Sequence, residues 1–258
     1  MSDKMSTSAT GVRLADLLSS LAQLLSADEY KDYCPNGLQV EGRAQVRKIV
    51  CGVSANLALI KQAIERKADA VLVHHGWFWQ PKEPVVGYYK ERMRCLLLND
   101  ISLIAYHLPL DGHPELGNNA QLARLAGWRT EGRFGAQNIG FIGQLEKPVS
   151  ASQMCKKLEE LLSRKPLLVG NTRKRIKMIA WCSGGAQGML EQAVELGVDA
   201  YVSGEISEYN PHVAAESNVA YIAAGHHATE RFGIQALGNY ISERFPVLCE
   251  FIDIDNPA

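Results

Sequence analysis

The chain has 258 residues, enough for one large domain or two small ones with a substantial core. Hydrophobic residues make up 47% and charged residues 21%, close to globular averages, which excludes disordered, collagen-like and disulfide-scaffold classes. Lys and Arg (27) nearly balance Asp and Glu (28), leaving a net charge of −1, so a nucleic-acid contact has to come from a local patch.

Residues 1–11 read as a frayed tail. Leu14, Leu17, Leu18, Leu21 and Leu25 then fall on one helical stripe and predict a first amphipathic helix. Cys34-Pro35-Asn36-Gly37 is turn chemistry. Ile49-Val50-Cys51-Gly52-Val53 reads as a buried strand, residues 56–67 as a helix with Leu57, Ile60 and Ile64 on one face, and Ala70-Val71-Leu72-Val73 as a second buried strand stopping at His74-His75-Gly76. Strand, helix and strand make a βαβ unit. An excursion from Trp77 to about Tyr89, with Pro81 and Pro84, follows it.

The unit occurs twice. A shift of 130 residues places Ile49, Gln62, Ala63, Glu65, Asp69 and Ala70 on Ile179, Gln192, Ala193, Glu195, Asp199 and Ala200 without a gap. The second copy runs from strand Ile179-Ala180-Trp181-Cys182 through Ser183-Gly184-Gly185 and a helix over roughly 187–196 to strand Ala200-Tyr201-Val202-Ser203, ending at Gly204-Glu205. A shift of 119 aligns Leu103-Ile104-Ala105-Tyr106-His107 with Ile222-Ala223-Ala224-Gly225-His226 and sets Asp111 on Glu230. The expected organisation is a first lobe over 1–127, a connecting segment over 128–175 with one helix near 151–163, and a second lobe over 176–258, together one compact unit. The fold class is α/β: two similar βαβ-containing lobes, sheets flanked by helices, with a metal site between them.

The six cysteines, Cys34, Cys51, Cys95, Cys155, Cys182 and Cys249, contain no C-x-x-C pair and read as reduced and mostly buried. The start lacks the pattern of a secretory signal and no window approaches 18 apolar residues, so a cytoplasmic protein without a membrane partner is expected.

Five of the seven histidines, His74, His75, His107, His226 and His227, fall at or just beyond predicted strand ends, the edge where ligands bind in parallel α/β sheets. With Asp111 and Glu230 they offer the imidazoles and carboxylates of a metal site. Adjacent histidines on a strand point to opposite faces, so His74-His75 suits two neighbouring ions better than one. A helical turn sets His226 and Glu230 on one face. His113 and His212, standing alone, read as surface or structural residues, and Asp69 and Asp199, at the opposite sheet edge, as turn or cap residues. The loop Ser183–Gly188, with Gly184 and Gly185, fits either phosphate binding or a tight strand-to-helix turn. Trp77-Phe78-Trp79 fits either stacking on a base or packing under a loop, and Arg173, Lys174, Arg175 and Lys177 fit a solvated strand entry first and a polyanion patch second.

Val73-His74-His75-Gly76, His107-Leu108-Pro109-Leu110-Asp111, Gly117-Asn118-Asn119 and Gly225-His226-His227-Ala228-Thr229-Glu230 together resemble the family of dinuclear-metal-centre hexameric proteins known as GTP cyclohydrolase I type 2 homologues. The resemblance spans nearly the whole chain, and Asn36–Val40 and Phe251–Ile254 look like the family's short bacterial form. It implies metal ligands His74, His75, Asp111, His226 and Glu230, with Glu230 bridging two divalent ions of zinc, manganese, iron or nickel. It further implies proton-transfer or supporting roles for His107, Glu205 and His227, and a toroidal homohexamer. The implied activity is a metal-dependent hydrolase acting on a purine nucleotide, in the manner of a GTP cyclohydrolase. The alternatives are a phosphoesterase or damaged-nucleotide hydrolase on the same metals, or a ring-shaped protein with structural metals that binds nucleic acid or a protein partner.

Overall fold

A computed structural model of the chain describes residues 10–79 and 84–258; the tail expected over 1–11 lies almost wholly outside them, as does Pro81. The described residues form two compact units: 10–79 and 84–107 with 234–254, and 108–233 with 255–258.

The first unit holds β1 (Val12–Arg13), α1 (Leu14–Leu25), β2 (Gly37–Val40), β3 (Gln45–Val46), β4 (Lys48–Ser54), α2 (Leu57–Glu65), β5 (Ala70–His75), α3 (Gly87–Leu98) and β6 (Ser102–Ala105). The leucine stripe of α1 buries Leu14, Leu17, Leu21 and Leu25, as its spacing requires. Asn56 starts α2 by accepting the Leu59 N–H at 2.8 Å. The second unit holds α4 (Leu108–Gly112), α5 (Asn118–Ala126), β7 (Trp128–Phe134), β8 (Gly140–Ser150), α6 (Ala151–Leu162), β9 (Leu167–Val169), β10 (Arg175–Cys182), α7 (Leu190–Glu195), β11 (Ala200–Ser203), α8 (Asn210–Ser217), β12 (Ala220–Ala223) and α9 (His226–Thr229). Helix α10 (Arg231–Arg244) carries the chain back to the first unit, where β13 (Leu248–Phe251) ends the last sheet.

Strand order in the first unit is β13-β4-β5-β6-β2, parallel except for β2. In the second it is β7-β8-β10-β11-β12-β9, with β10, β11 and β12 parallel and the outer pairings antiparallel. Leu59, Ile60 and Ala63 of α2 pack with Val50, Val71 and Leu103 on one face of the first sheet. In the second sheet Met154, Leu158 and Leu162 of α6 cover Ile179, Val202 and Ile222, while Leu190 and Ala193 of α7 cover Ala180 and Tyr201 on the opposite face.

The division differs from the expected lobes in two respects. Residues 128–175 are no connector: β7, β8 and β9 supply both flanks of the second sheet. The C-terminal strand leaves the second lobe because β13 pairs in parallel with β4, completing the first sheet. Strands β9 and β13 are runs of three and four residues whose partners, β12 and β4, lie far along the chain, so sequence periodicity does not show which sheet they complete.

The central three strands of each sheet share one plan. Ile49 pairs with Ala70 and Ala70 with Ser102, as Ile179 pairs with Ala200 and Ala200 with Ala220. Asp69 Oδ2 accepts the N–H groups of Arg47 and Lys48 at 2.7 and 3.0 Å; 130 residues on, Asp199 Oδ2 accepts those of Lys177 and Met178 at 2.9 and 3.0 Å. Both aspartates tie the start of one strand to the start of the next, the structural role expected of them. Register corrects the second match by one residue: Ala105 stands level with Ala223, a shift of 118, because Val73 pairs with Ala105 and Ser203 with Ala223. The shift of 119 holds only beyond the strand, where Gly225, at φ +102°, adds a residue.

Candidate metal centre

In the first unit the expected histidines gather at the C-terminal edge of the parallel strands. Strand β5 runs through His75, one turn of pleat further than the apolar run suggests. Alternation would separate the rings of His74 and His75, yet their centroids lie 4.6 Å apart. His107, just past β6, completes a cluster with centroids 5.0 Å from His74 and 5.7 Å from His75. One ligand atom from each of the three lies within 4.8 Å of the others.

Every one of these rings is oriented through Nδ1. His74, fully buried, holds Nδ1 3.0 Å from the Tyr106 carbonyl. A carbonyl only accepts, so Nδ1 carries the proton and the neutral ring presents its lone pair at Nε2, the form a divalent cation binds. His75 Nδ1 lies 3.2 Å from Ser54 Oγ, and His107 Nδ1 lies 2.7 Å from Asp32 Oδ1. Asn36 braces that last pair, accepting the His107 N–H at 2.8 Å and donating to Asp32 Oδ2 at 2.9 Å. Sequence reasoning read this segment as a turn and passed over Asp32, which lies 75 residues from the histidine it orients.

In the second unit the carboxylates gather. Asp111, on the short helix α4, accepts from Asn118 Nδ2 at 2.8 Å and Ser183 Oγ at 3.3 Å. Asn118 also accepts the Gly233 N–H at 3.0 Å, and Asn119 accepts the Ser183 N–H at 2.8 Å, so the Asn118-Asn119 pair fixes both the aspartate and the glycine loop. Glu230 follows α9, and its Oε2 lies 3.2 Å from His226 Nε2, the predicted i, i+4 relation. On the other side His226 Nδ1 lies 2.6 Å from Glu205 Oε1, while Glu205 Oε2 accepts from Gln187 Nε2 at 3.0 Å. Burial opposes a charge on His226, but Glu230 and then Glu205 outweigh it and raise the imidazolium pKa to about 9.

Asp111 and Glu230 are 6% and 2% exposed, with carboxylate oxygens within 4.8 Å of each other. Two buried like charges this close are costly unless a cation or a proton is shared between them. Imidazole nitrogen and carboxylate oxygen without thiolate is a donor set that fits a divalent ion of the first transition row. Cys182 lies nearby, and burial followed by the Asp111 charge pushes its thiol far up, which keeps it neutral.

The glycine loop fits closely against this cluster. Gly184 adopts φ +66°, and a Cβ there would run into Glu230 Oε1; Gly185 has more room, with His226 Cε1 3.6 Å from where a Cβ would stand. The N–H groups of Ser183, Gly184 and Ala186 bond to Asn119, Thr229 and the Gly184 carbonyl, the pattern of a tight turn. The helix expected over 187–196 is shorter, a 3-10 turn at Gln187–Met189 followed by α7. His227 is buried on α9, outside the His, Cys, Asp and Glu groups that could share an ion among the described residues. His113 accepts two N–H groups of its own turn, and His212 is exposed beside Glu208.

Trp77 is core, donating to the Ala55 carbonyl at 2.8 Å, whereas Trp79 stands edge-on to His107 with centroids 5.0 Å apart. The basic run braces the fold: Lys174 pairs with Asp199 at 3.5 Å, and Arg175 and Lys177 donate to the carbonyls of Pro148 and Leu145. All six cysteines are free thiols. Among the described residues no helix is long and apolar enough to cross a membrane.

A parallel-stranded α/β chain with imidazoles at the strand ends of one unit and paired buried carboxylates in the other is a member of the Duf34/NIF3 (NGG1p interacting factor 3) family, whose model matches residues 12–257. The chain is 51% identical over 251 residues to the GTP cyclohydrolase 1 type 2 homolog of Pseudomonas aeruginosa, covering 96% of this chain and 99% of that one. Among solved structures it is similar to protein ybgI, of unknown function, at 45% identity and TM-score 0.93, covering 96% of this chain and 100% of the other. A protein from Thermus thermophilus follows at 32% identity and TM-score 0.88, covering 96% and 100% of the two chains.

Proposed function

We propose that this chain is a dinuclear-metal-dependent hydrolase acting on a purine nucleotide, working as a cytoplasmic homohexamer. The observation that carries the reading is the shared anchoring of His74, His75, His107 and His226, each with Nδ1 against an oxygen of its own unit. Such outer partners are what metal-binding imidazoles require to keep one orientation and one tautomer. The purine nucleotide is supported by the description of the relatives as GTP cyclohydrolase 1 type 2 homologs.

In this reading His74, His75, Asp111, His226 and Glu230 would hold two divalent ions, which would supply the activation of water for attack near neutral pH. Asp32, 2.7 Å from Nδ1, holds the His107 ring in one orientation, from which Nε2 would deliver a proton to the departing ring nitrogen. Glu205 acts through His226, which it grips and orients, and His227 keeps a reserve role in proton movement. Gly184 and Gly185 keep side chains out of the space beside Glu230 and His226.

The test is metal content of the purified protein together with turnover of a nucleotide panel including GTP, before and after chelation and metal restoration. Near two ions per chain with metal-restored turnover supports the reading. Turnover that persists in Glu230→Gln with the assembly intact overturns it.

A further inference from the structure

The chemistry above leaves one cavity of the first unit without a role. It measures about 530 Å³ and is lined by Ser54, His75, Phe78, Trp79, Tyr88 and Arg92 among others, a volume in the range of small-ligand sites. Its walls are unusual for a surface hollow. Tyr88 is 75% exposed and Trp79 is 37% exposed, although flat aromatic faces of this size are ordinarily buried. Trp79 is nevertheless fixed: its indole N–H donates to the Gly76 carbonyl at 3.0 Å, and its ring meets those of His107 and His75 at centroid distances of 5.0 and 6.0 Å. Phe78, between the two tryptophans, takes φ +63°, a left-handed conformation that an aromatic residue adopts only when its surroundings impose it.

The fourth wall is cationic: Arg92 lines the cavity and its guanidinium lies over the Tyr88 ring at 5.0 Å. Aromatic faces beside a guanidinium suit a flat, π-rich heterocycle, which stacks on both. An aliphatic occupant would make no use of the charge, and a simple anion would leave the aromatic faces wet.

We propose that this cavity is the base subsite, in which the heterocycle of a nucleotide stacks on Trp79, faces the Arg92 guanidinium, and is thereby held beside His75. The proposal rests on the reading of the chain as acting on a nucleotide, and it names where that nucleotide's base lies.

The test measures binding of guanosine 5′-monophosphate and of base-free ribose 5-phosphate to the purified protein by calorimetry, for the wild type, Trp79→Ala and Trp79→Phe. Loss of a stacking partner is expected to weaken the nucleotide about tenfold in Trp79→Ala, while Trp79→Phe stays within about threefold and ribose 5-phosphate is unaffected in both. Equal nucleotide affinity in Trp79→Ala, equal loss of ribose 5-phosphate, or no nucleotide binding to the wild type overturns the subsite. Turnover followed in parallel separates the two readings. Trp79-dependent binding without turnover keeps the subsite and defeats the hydrolase; metal-dependent turnover with KM unchanged in Trp79→Ala does the reverse.

Discussion

Glu205 Oε1 lies 2.6 Å from His226 Nδ1, so a half-exposed carboxylate sets the orientation of a buried-side imidazole. Glu205→Gln keeps the shape and removes the charge. Loss of such a partner weakens metal binding about 10- to 100-fold. The expected outcome is metal lost on dialysis against a chelator that the wild type withstands, with an unchanged far-ultraviolet circular dichroism spectrum. Equal metal retention would show that the contact is structural.

His226 also fixes a pH dependence. Burial pulls its pKa down in the metal-free chain, but Glu230 and Glu205 prevail and raise it from 6.5 to about 9. A raised pKa means that the folded state binds the proton more tightly than the unfolded one. The stabilisation is therefore complete below about 6.5 and is lost as pH rises through about 9. The Tm of chelated protein is expected to fall across that window, and His226→Gln to flatten the fall. Because a ligand imidazole must be neutral, metal affinity is expected to move the other way and rise with pH over the same range.

Gly184 and Gly185 are adjacent but unequal. A Cβ on Gly184 collides with Glu230 Oε1 and meets a φ of +66°, whereas one on Gly185 has its nearest neighbour 3.6 Å away. Gly184→Ala is expected to cost about 1–3 kcal/mol in urea unfolding and to displace Glu230, with metal content falling at least about tenfold. Gly185→Ala is expected to keep both stability and metal.

The two strand-tying aspartates separate stability from the site. Asp69→Ala removes the acceptor of two backbone N–H groups and of Arg43, 3.0 Å away. About 2–4 kcal/mol should be lost in urea unfolding. Asp199→Ala removes the same two bonds, yet its side chain is 26% exposed against 8% for Asp69, so water replaces part of the loss and the effect is smaller. Metal per folded chain should be unchanged in both; a drop would mean that the sheet's starting edge controls the far one.

Local pattern carried much of this structure. The leucine spacing gave α1 at the residues observed, Leu14–Leu25, and the apolar run before His74 gave β5. The helix expected near 151–163 is α6, held at its start by a reciprocal pair between Ser150 and Gln153. These features follow from neighbours a few residues apart. The path of β13 to β4, the place of β7 and β8 in the second sheet, and the single-residue slip at Gly225 depend on pairing across long stretches, which alternation leaves open.

The same boundary runs through the site. Residue type and the strand-end position of His74, His75, His107, His226, Asp111 and Glu230 were fixed by the sequence itself, because imidazole and carboxylate at that edge have a chemistry independent of packing. Which atom of each ring is held, and by what, was decided only by tertiary structure: Asp32 reaches His107 across 75 residues, and Glu205 reaches His226 across 21. A hydrogen bond needs a distance near 3 Å and a direction, and those are properties of folded segments brought together, which residue order alone does not contain.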